Sequence, residues 1–213
     1  MQDSFSKNLL ESINCKNISL SGDTRFDRVA KILEQDNSLP YISAFKNNQY
    51  TVVAGSTWNE DEELLVSYIN KSKGEKFIIA PHNIKSEQIQ ELKNAISKKI
   101  IIFSDVETRL IAPLQENNVF IIDTIGILTK IYSYADIAYV GGGFGNPGVH
   151  NILEPATFGV PVVIGPNYSH FAEATALVNM EGCISIQNQN QLNETLDLLL
   201  QNEDERLEKG HVC

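Results

Sequence analysis

The chain has 213 residues, enough for one large domain or two small ones. Its 42% apolar and 21% charged residues suit a globular core and exclude the composition of a disordered chain. Acidic residues outnumber basic ones 27 to 17, a net charge of −10, which argues against non-specific binding to nucleic acid or anionic lipid.

The opening MQDSFSKNLLESINCK is polar and charged, so no signal peptide is expected. No apolar run approaches the roughly 20 residues that span a bilayer, so no membrane insertion by this chain is expected. Short apolar runs then read as strands at Ile18–Leu20, Tyr50–Ala54, Lys76–Ala80, Ile100–Phe103, Val119–Ile122, Ile137–Val140, Val162–Ile164 and Cys183–Ile186. Most are apolar on both faces, as parallel strands covered by helices on both sides would be. Amphipathic stretches between them predict helices near Phe26–Asp36, Asp61–Lys71, Ser86–Lys98, Ile127–Tyr134, Ile152–Phe158, Ser169–Met180 and Gln191–Gln201. The alternation predicts an α/β fold with a doubly wound parallel sheet, and with no repeat or linker in view, one domain over residues 1–213. Cys15, Cys183 and Cys213 are odd in number and show no CxxC spacing, which predicts reduced thiols and a cytoplasmic setting.

In such folds ligands bind beyond the carboxyl ends of the strands. The segments there are Ser21–Arg25, Gly55–Trp58, Pro81–Asn83, Asp123–Gly126, the run from Gly141 to Asn151, and Gly165–Tyr168. The run from Gly141 is the richest. Its consecutive glycines permit positive φ and close approach of a ligand to the backbone, and a helix is expected to begin near His150 or Asn151 with free N–H groups facing the loop. Glu154 would then sit where it can accept from sugar hydroxyls. The alternative is a long loop whose glycines only turn the chain, with Glu154 a favourable first-turn acid. Arg25, a cation at a helix start, points to an anionic ligand or to pairing with Asp23 or Asp27. Gly55–Trp58 precedes the acids Glu60–Glu63, which fits helix capping better than phosphate binding. The four histidines, His82, His150, His170 and His211, show no HxxxH spacing, so no metal site is expected. Neither a nucleophile elbow nor a paired acid and base stands out.

The glycine run followed by His150-Asn151-Ile152-Leu153-Glu154-Pro155 and by Phe158–Pro166 resembles the 3-deoxy-D-manno-octulosonic acid (Kdo) transferases of lipopolysaccharide synthesis. So do Gly22–Asp27, Pro81-His82 and Asp123–Gly126, in the family's order, so the resemblance runs from about Ile18 to the end. It implies the C-terminal half of a GT-B glycosyltransferase, a Rossmann-like domain that binds the donor CMP-Kdo. It also implies that the acceptor half, with the lipid A precursor site and the general base, is absent from this chain, so that the chain alone is expected to be inactive. The parent enzyme would act at the cytoplasmic face of the inner membrane of Gram-negative bacteria. Transfer would proceed with inversion, and with no aspartate-rich motif in the sequence, without a metal or other cofactor.

By this resemblance Arg25 stands where the family carries a lysine that stabilises the transition state. The donor would be bound by Gly22, Asp23, Thr24, Pro81, His82, Ile125, Gly126, Ile127, Gly142, Asn151, Ile152, Leu153 and Glu154. Three of these depart from the family: His82 replaces arginine, Ile127 replaces an acid, and Asp23 stands where asparagine is common. Two rival readings remain. A nucleotide-sugar epimerase of the same fold would need its own acid and base, and a Rossmann-like interaction module would ignore nucleotides altogether.

Overall fold

The computed structural model describes residues 4–22, 24–108 and 113–213. They fall into two compact units, Met1–Asp36 and Asn37–Cys213.

The first unit holds helices α1 (Ser4–Ser12) and α2 (Thr24–Ala30). The strand expected at Ile18–Leu20 does not form. Asn14 and Asn17 take left-handed φ values of 64° and 61°, turning the chain just before it, and Leu20 is exposed. Helix α2 starts two residues earlier than expected and ends at Ala30. Beyond it, Ile32, Glu34 and Gln35 donate to carbonyls only three residues back, which tightens the chain into turns.

The second unit opens with α3 (Pro40–Lys46), a helix absent from the expected set; Pro40 at its first position fits the helical φ. Then follow β1 (Thr51–Thr57), α4 (Asn59–Ile69), β2 (Lys76–Pro81), α5 (Ser86–Ala95), β3 (Ile100–Ile102) and α6 (Phe103–Thr108). After a 3₁₀ turn at Leu114–Glu116 come β4 (Val119–Ile121), α7 (Leu128–Tyr132), β5 (Ile137–Val140) and α8 (Leu153–Ala156). The chain continues through β6 (Val162–Ile164), α9 (Ala172–Asn179), β7 (Cys183–Ser185), α10 (Gln189–Gln201) and α11 (Glu203–Val212).

Among the described residues the seven strands form one sheet in the order β3-β4-β2-β1-β5-β6-β7, and every neighbouring pair is parallel. The doubly wound parallel sheet is therefore as expected. Successive strand residues feed opposite layers. Val53, Ile78, Phe120 and Ala138 pack with α3, α7, α8 and α9, whereas Val52, Phe77, Val119 and Ile137 pack with α4, α5 and α10. Burial of each of the Val, Ile and Phe side chains contributes about 1.5–3 kcal/mol. Sheet order reverses at β1: the chain runs outward through β2 to the edge strand β3, returns to insert β4 between them, then crosses back to lay β5 on the other side of β1. The crevice beyond the carboxyl ends of β1 and β5 is where this topology leaves room for a ligand.

No helix among the described residues is long and apolar enough to cross a membrane. Cys15 is exposed, Cys183 buried and Cys213 half-buried, all as free thiols.

Candidate functional site

Strand β1 carries more of the sequence than expected. It runs through Gly55 and Thr57, with a register shift between them and Ser56 at φ 54°, so these residues are strand and not loop. A Cβ on Gly55 would stand 2.0 Å from the Tyr132 hydroxyl; close packing of α7 requires the glycine. Thr57 is buried and donates its hydroxyl to Glu62 Oε1 at 2.8 Å. Burial pushes the Glu62 carboxyl up; the Thr57 bond opposes this and Asp61 reinforces it.

Asp61, fully buried, organises the crevice. Its Oδ2 accepts from Trp58 N–H at 2.9 Å, which caps α4, and from Gly142 N–H at 2.8 Å; its Oδ1 accepts from the Tyr139 hydroxyl at 2.7 Å. Burial, with the Asp61 charge beside it, pushes the Tyr139 phenol far up. Beside this carboxylate, Trp58 Nε1–H donates to His150 Nε2 at 2.7 Å, with the two rings 10° from parallel. The exposed His82 ring stacks on both, 4.7 Å from Trp58 and 4.6 Å from His150. Burial and the His82 ring hold the His150 imidazole below its usual range, against the opposing pull of Asp61.

The glycines meet this framework closely. Gly142 and Gly148 take φ of 91° and 81°. A Cβ on Gly141 would stand 2.4 Å from Ser56 O, one on Gly142 2.4 Å from Gly148 O, and one on Gly143 2.7 Å from Gly165 Cα. The space beside their Cα atoms is thus filled by the protein's own backbone. The helix expected from His150 or Asn151 begins instead at Leu153 and lasts four residues. Val149 N–H donates to Asn167 O and His150 N–H to Gly141 O, which holds this stretch in the loop and uses N–H groups expected to be free. Leu153 N–H is taken by Asn151 Oδ1 at 3.2 Å.

Glu154 lies in that single turn. Its Oε2 accepts from the Thr129 hydroxyl at 2.6 Å and its Oε1 from Asn151 Nδ2 at 3.1 Å. An ionised carboxylate offers about four acceptor positions, so both oxygens keep capacity for a ligand. Its charge, after burial, helps push the Tyr132 phenol up.

The expected residues of the second unit divide by exposure. Pro81 ends β2 half-buried, His82 and Gly126 are exposed, and Ile125 is 83% exposed. Ile127 packs partly on the core ahead of α7. Gly142, Ile152 and Leu153 are buried. In the first unit, Gly22 (φ 77°) and Thr24 are exposed and Arg25 is half-buried near the start of α2. Asp23 lies outside the described residues. Sequence reading did not single out Asp61, Thr129 or Tyr139. Asp61 is one of four consecutive acids, and its place three residues after Trp58, the spacing of the capping bond it makes, is the local signal that could have found it. Among the described residues no cluster of three His, Cys, Asp or Glu side chains is placed to hold a metal.

No protein-family model matches the chain. It is similar to curated proteins named 3-deoxy-D-manno-octulosonic acid transferase. The one from Chlamydia trachomatis is 35% identical over 167 residues, 75% of this chain and 37% of the relative. The one from Rickettsia typhi is 29% identical over 197 residues, 89% of this chain and 40% of the relative. The chain thus spans about two fifths of the length of these relatives. Among solved structures, the C-terminal CMP-Kdo binding domain of WaaA from Acinetobacter baumannii superposes with a TM-score of 0.66 at 21% identity, covering 87% of this chain and 95% of that one. The UDP-GlcNAc 2-epimerase from Neisseria meningitidis gives 0.59 at 13% identity, covering 98% and 54%. Both share the fold.

Proposed function

We propose, from the chain's kinship in sequence with the Kdo transferases, that it is the donor-binding half of such a glycosyltransferase. The observation that supports this reading is Glu154, both oxygens pinned by Thr129 and Asn151, beyond the carboxyl end of β5, on the side where ligands bind in open parallel sheets. A carboxylate fixed in this way is set to accept from the vicinal hydroxyls of a ribose without first losing side-chain freedom. The donor is CMP-Kdo, and its nucleotide lies along the carboxyl ends of β1, β2, β4 and β5.

In the complete enzyme Kdo passes from CMP to a hydroxyl of a lipid A precursor, at the cytoplasmic face of the inner membrane, with inversion. The bond from the sugar carbon to the phosphate oxygen breaks while the acceptor oxygen bonds to that carbon and gives its proton to the general base of the acceptor half, and negative charge grows on the departing CMP. The four-residue α8 has too few aligned peptides to supply much dipole, so stabilisation of that charge falls to side chains, with Arg25 the assigned cation. Glu154 orients the ribose and transfers no proton.

Calorimetric titration of the chain with CMP, UMP and UDP tests the reading. CMP is expected to bind most tightly. Preference for UDP, or no heat with any of the three, would overturn it.

A further inference from the structure

The N-terminal turn of α4 grips the glycine loop at both ends. At the start of the loop Gly142 N–H donates to Asp61 Oδ2, and at its end His150 Nε2 accepts from Trp58 Nε1–H. Both bonds cross the crevice between β1 and β5, and the loop they enclose leads directly into Asn151 and Glu154. Resting on the donor-binding reading, we propose that Trp58 and Asp61 are positioning residues that preset this loop for the nucleotide, and that the Trp58 contact holds only while His150 is neutral.

The proton argument follows from donor chemistry. An indole N–H donates and never accepts, so His150 Nε2 must present a lone pair and the ring proton must sit on Nδ1. Protonating Nε2 sets two donors head to head at 2.7 Å and breaks the contact. Among the described residues two titratable groups face His150. The His82 ring, stacked at 4.6 Å, opposes a second positive charge; the Asp61 carboxylate favours one. Burial and His82 outweigh Asp61, so His150 stays neutral at neutral pH and the loop end is released only in acid.

The loop is thereby tied to α4 before a ligand arrives. Asp61 fixes its first amide through a buried carboxylate that also holds Tyr139, so that end does not open when His150 is protonated. Acid then frees one end of the loop and leaves the other anchored. The expected consequence is a graded loss of affinity and not unfolding of the site.

CMP affinity of this chain, measured at about pH 7.5 and about pH 5 for the parent, His150→Gln and Trp58→Phe, tests the inference. The CMP phosphate itself titrates near pH 6, so the informative quantity is the difference between parent and His150→Gln. Glutamine keeps an acceptor for the indole N–H and has no proton to gain. The fall in affinity from neutral pH to acid should be about three- to ten-fold smaller in His150→Gln than in the parent. Trp58→Phe, which keeps an aromatic ring but has no donor, should bind about three- to ten-fold more weakly than the parent at neutral pH. Trp58 is the only tryptophan, so its emission should titrate below the usual histidine range in the parent, with the His150-dependent component gone in His150→Gln. Parallel acid losses in parent and His150→Gln, or parental affinity in Trp58→Phe, would overturn the inference and leave the donor-binding reading standing. A parent that binds no CMP at either pH would overturn both.

Discussion

Thr129 Oγ1 donates to Glu154 Oε2 across 2.6 Å, so the helix after β4 and the turn after the glycine loop share one carboxylate. On the proposed reading, removing that carboxylate takes away its charge-assisted bonds to the ribose together with its bond to Thr129. Glu154→Ala is expected to weaken CMP binding by about 1.5–3 kcal/mol, read as Kd by calorimetry. Thr129→Val leaves the charge in place and should cost less. Unchanged affinity in Glu154→Ala would remove this residue from the site.

Arg25 is expected to act on charge that develops during bond cleavage, so its effect belongs to turnover more than to binding. In the complete two-domain enzyme, Arg25→Ala should lower kcat about 10²–10³-fold, the scale of one preorganised donor lost. Arg25→Lys should recover much of that, with altered hydrogen-bond geometry accounting for the remainder. Steady-state kinetics on the three proteins decides the matter; near-parental kcat in Arg25→Ala would end the assignment.

Gly142 and Gly126 separate steric crowding from backbone conformation. Both have positive φ, 91° and 95°, but a Cβ on Gly142 meets Gly148 O at 2.4 Å whereas one on Gly126 meets nothing within 4 Å. Gly126→Ala should cost about 1–2 kcal/mol of stability, the conformational penalty alone. Gly142→Ala should cost more, about 3 kcal/mol, measured by urea unfolding. Equal losses would mean that the loop yields freely around the added methyl.

Glu62 predicts a pH dependence whose sign is the reverse of a salt-bridged acid. Its carboxyl is raised in the folded chain, chiefly by burial, so over the interval between the unfolded and folded values the folded state binds the extra proton. Stability contributed by this group is present below the unfolded value and is lost as pH rises through the folded one. Glu62→Gln retains an acceptor for Thr57 and carries no charge. Its thermal midpoint should exceed the parent's at pH 7, and the advantage should fade on acidification until Glu62 is protonated in both states. An advantage that persists unchanged in acid would point to packing and not charge.

Strands were legible where apolar runs were continuous: β5 and β6 stand at the bounds read from the sequence, because Ile137–Val140 and Val162–Ile164 are buried on both faces. Helix α3 was not, since seven residues opened by Pro40 give too little periodicity to separate a helix from a turn. Ile18–Leu20 shows the opposite error. Three apolar or hydroxyl residues suit a strand, but the left-handed asparagines before them redirect the chain. At the site, the position of Glu154 after the glycine loop could be read directly, whereas its bond to Thr129 could not. The Trp58–His150 bond joins residues 92 apart, and only the laying of β5 beside β1 brings them together.

The crowding around the glycines also changes what a substitution survey would mean. Replacements at Gly141, Gly142, Gly143 and Gly165 drive a new Cβ to within 2.8 Å of other backbone or side-chain atoms, before any nucleotide is considered. A library selected only for soluble expression would therefore already be depleted at these four positions, and a library selected for sugar transfer would look the same there. Intolerance at the glycines reports architecture. The two libraries should part company at Ile125, whose 83% exposed side chain the fold leaves free to vary and a bound donor would not.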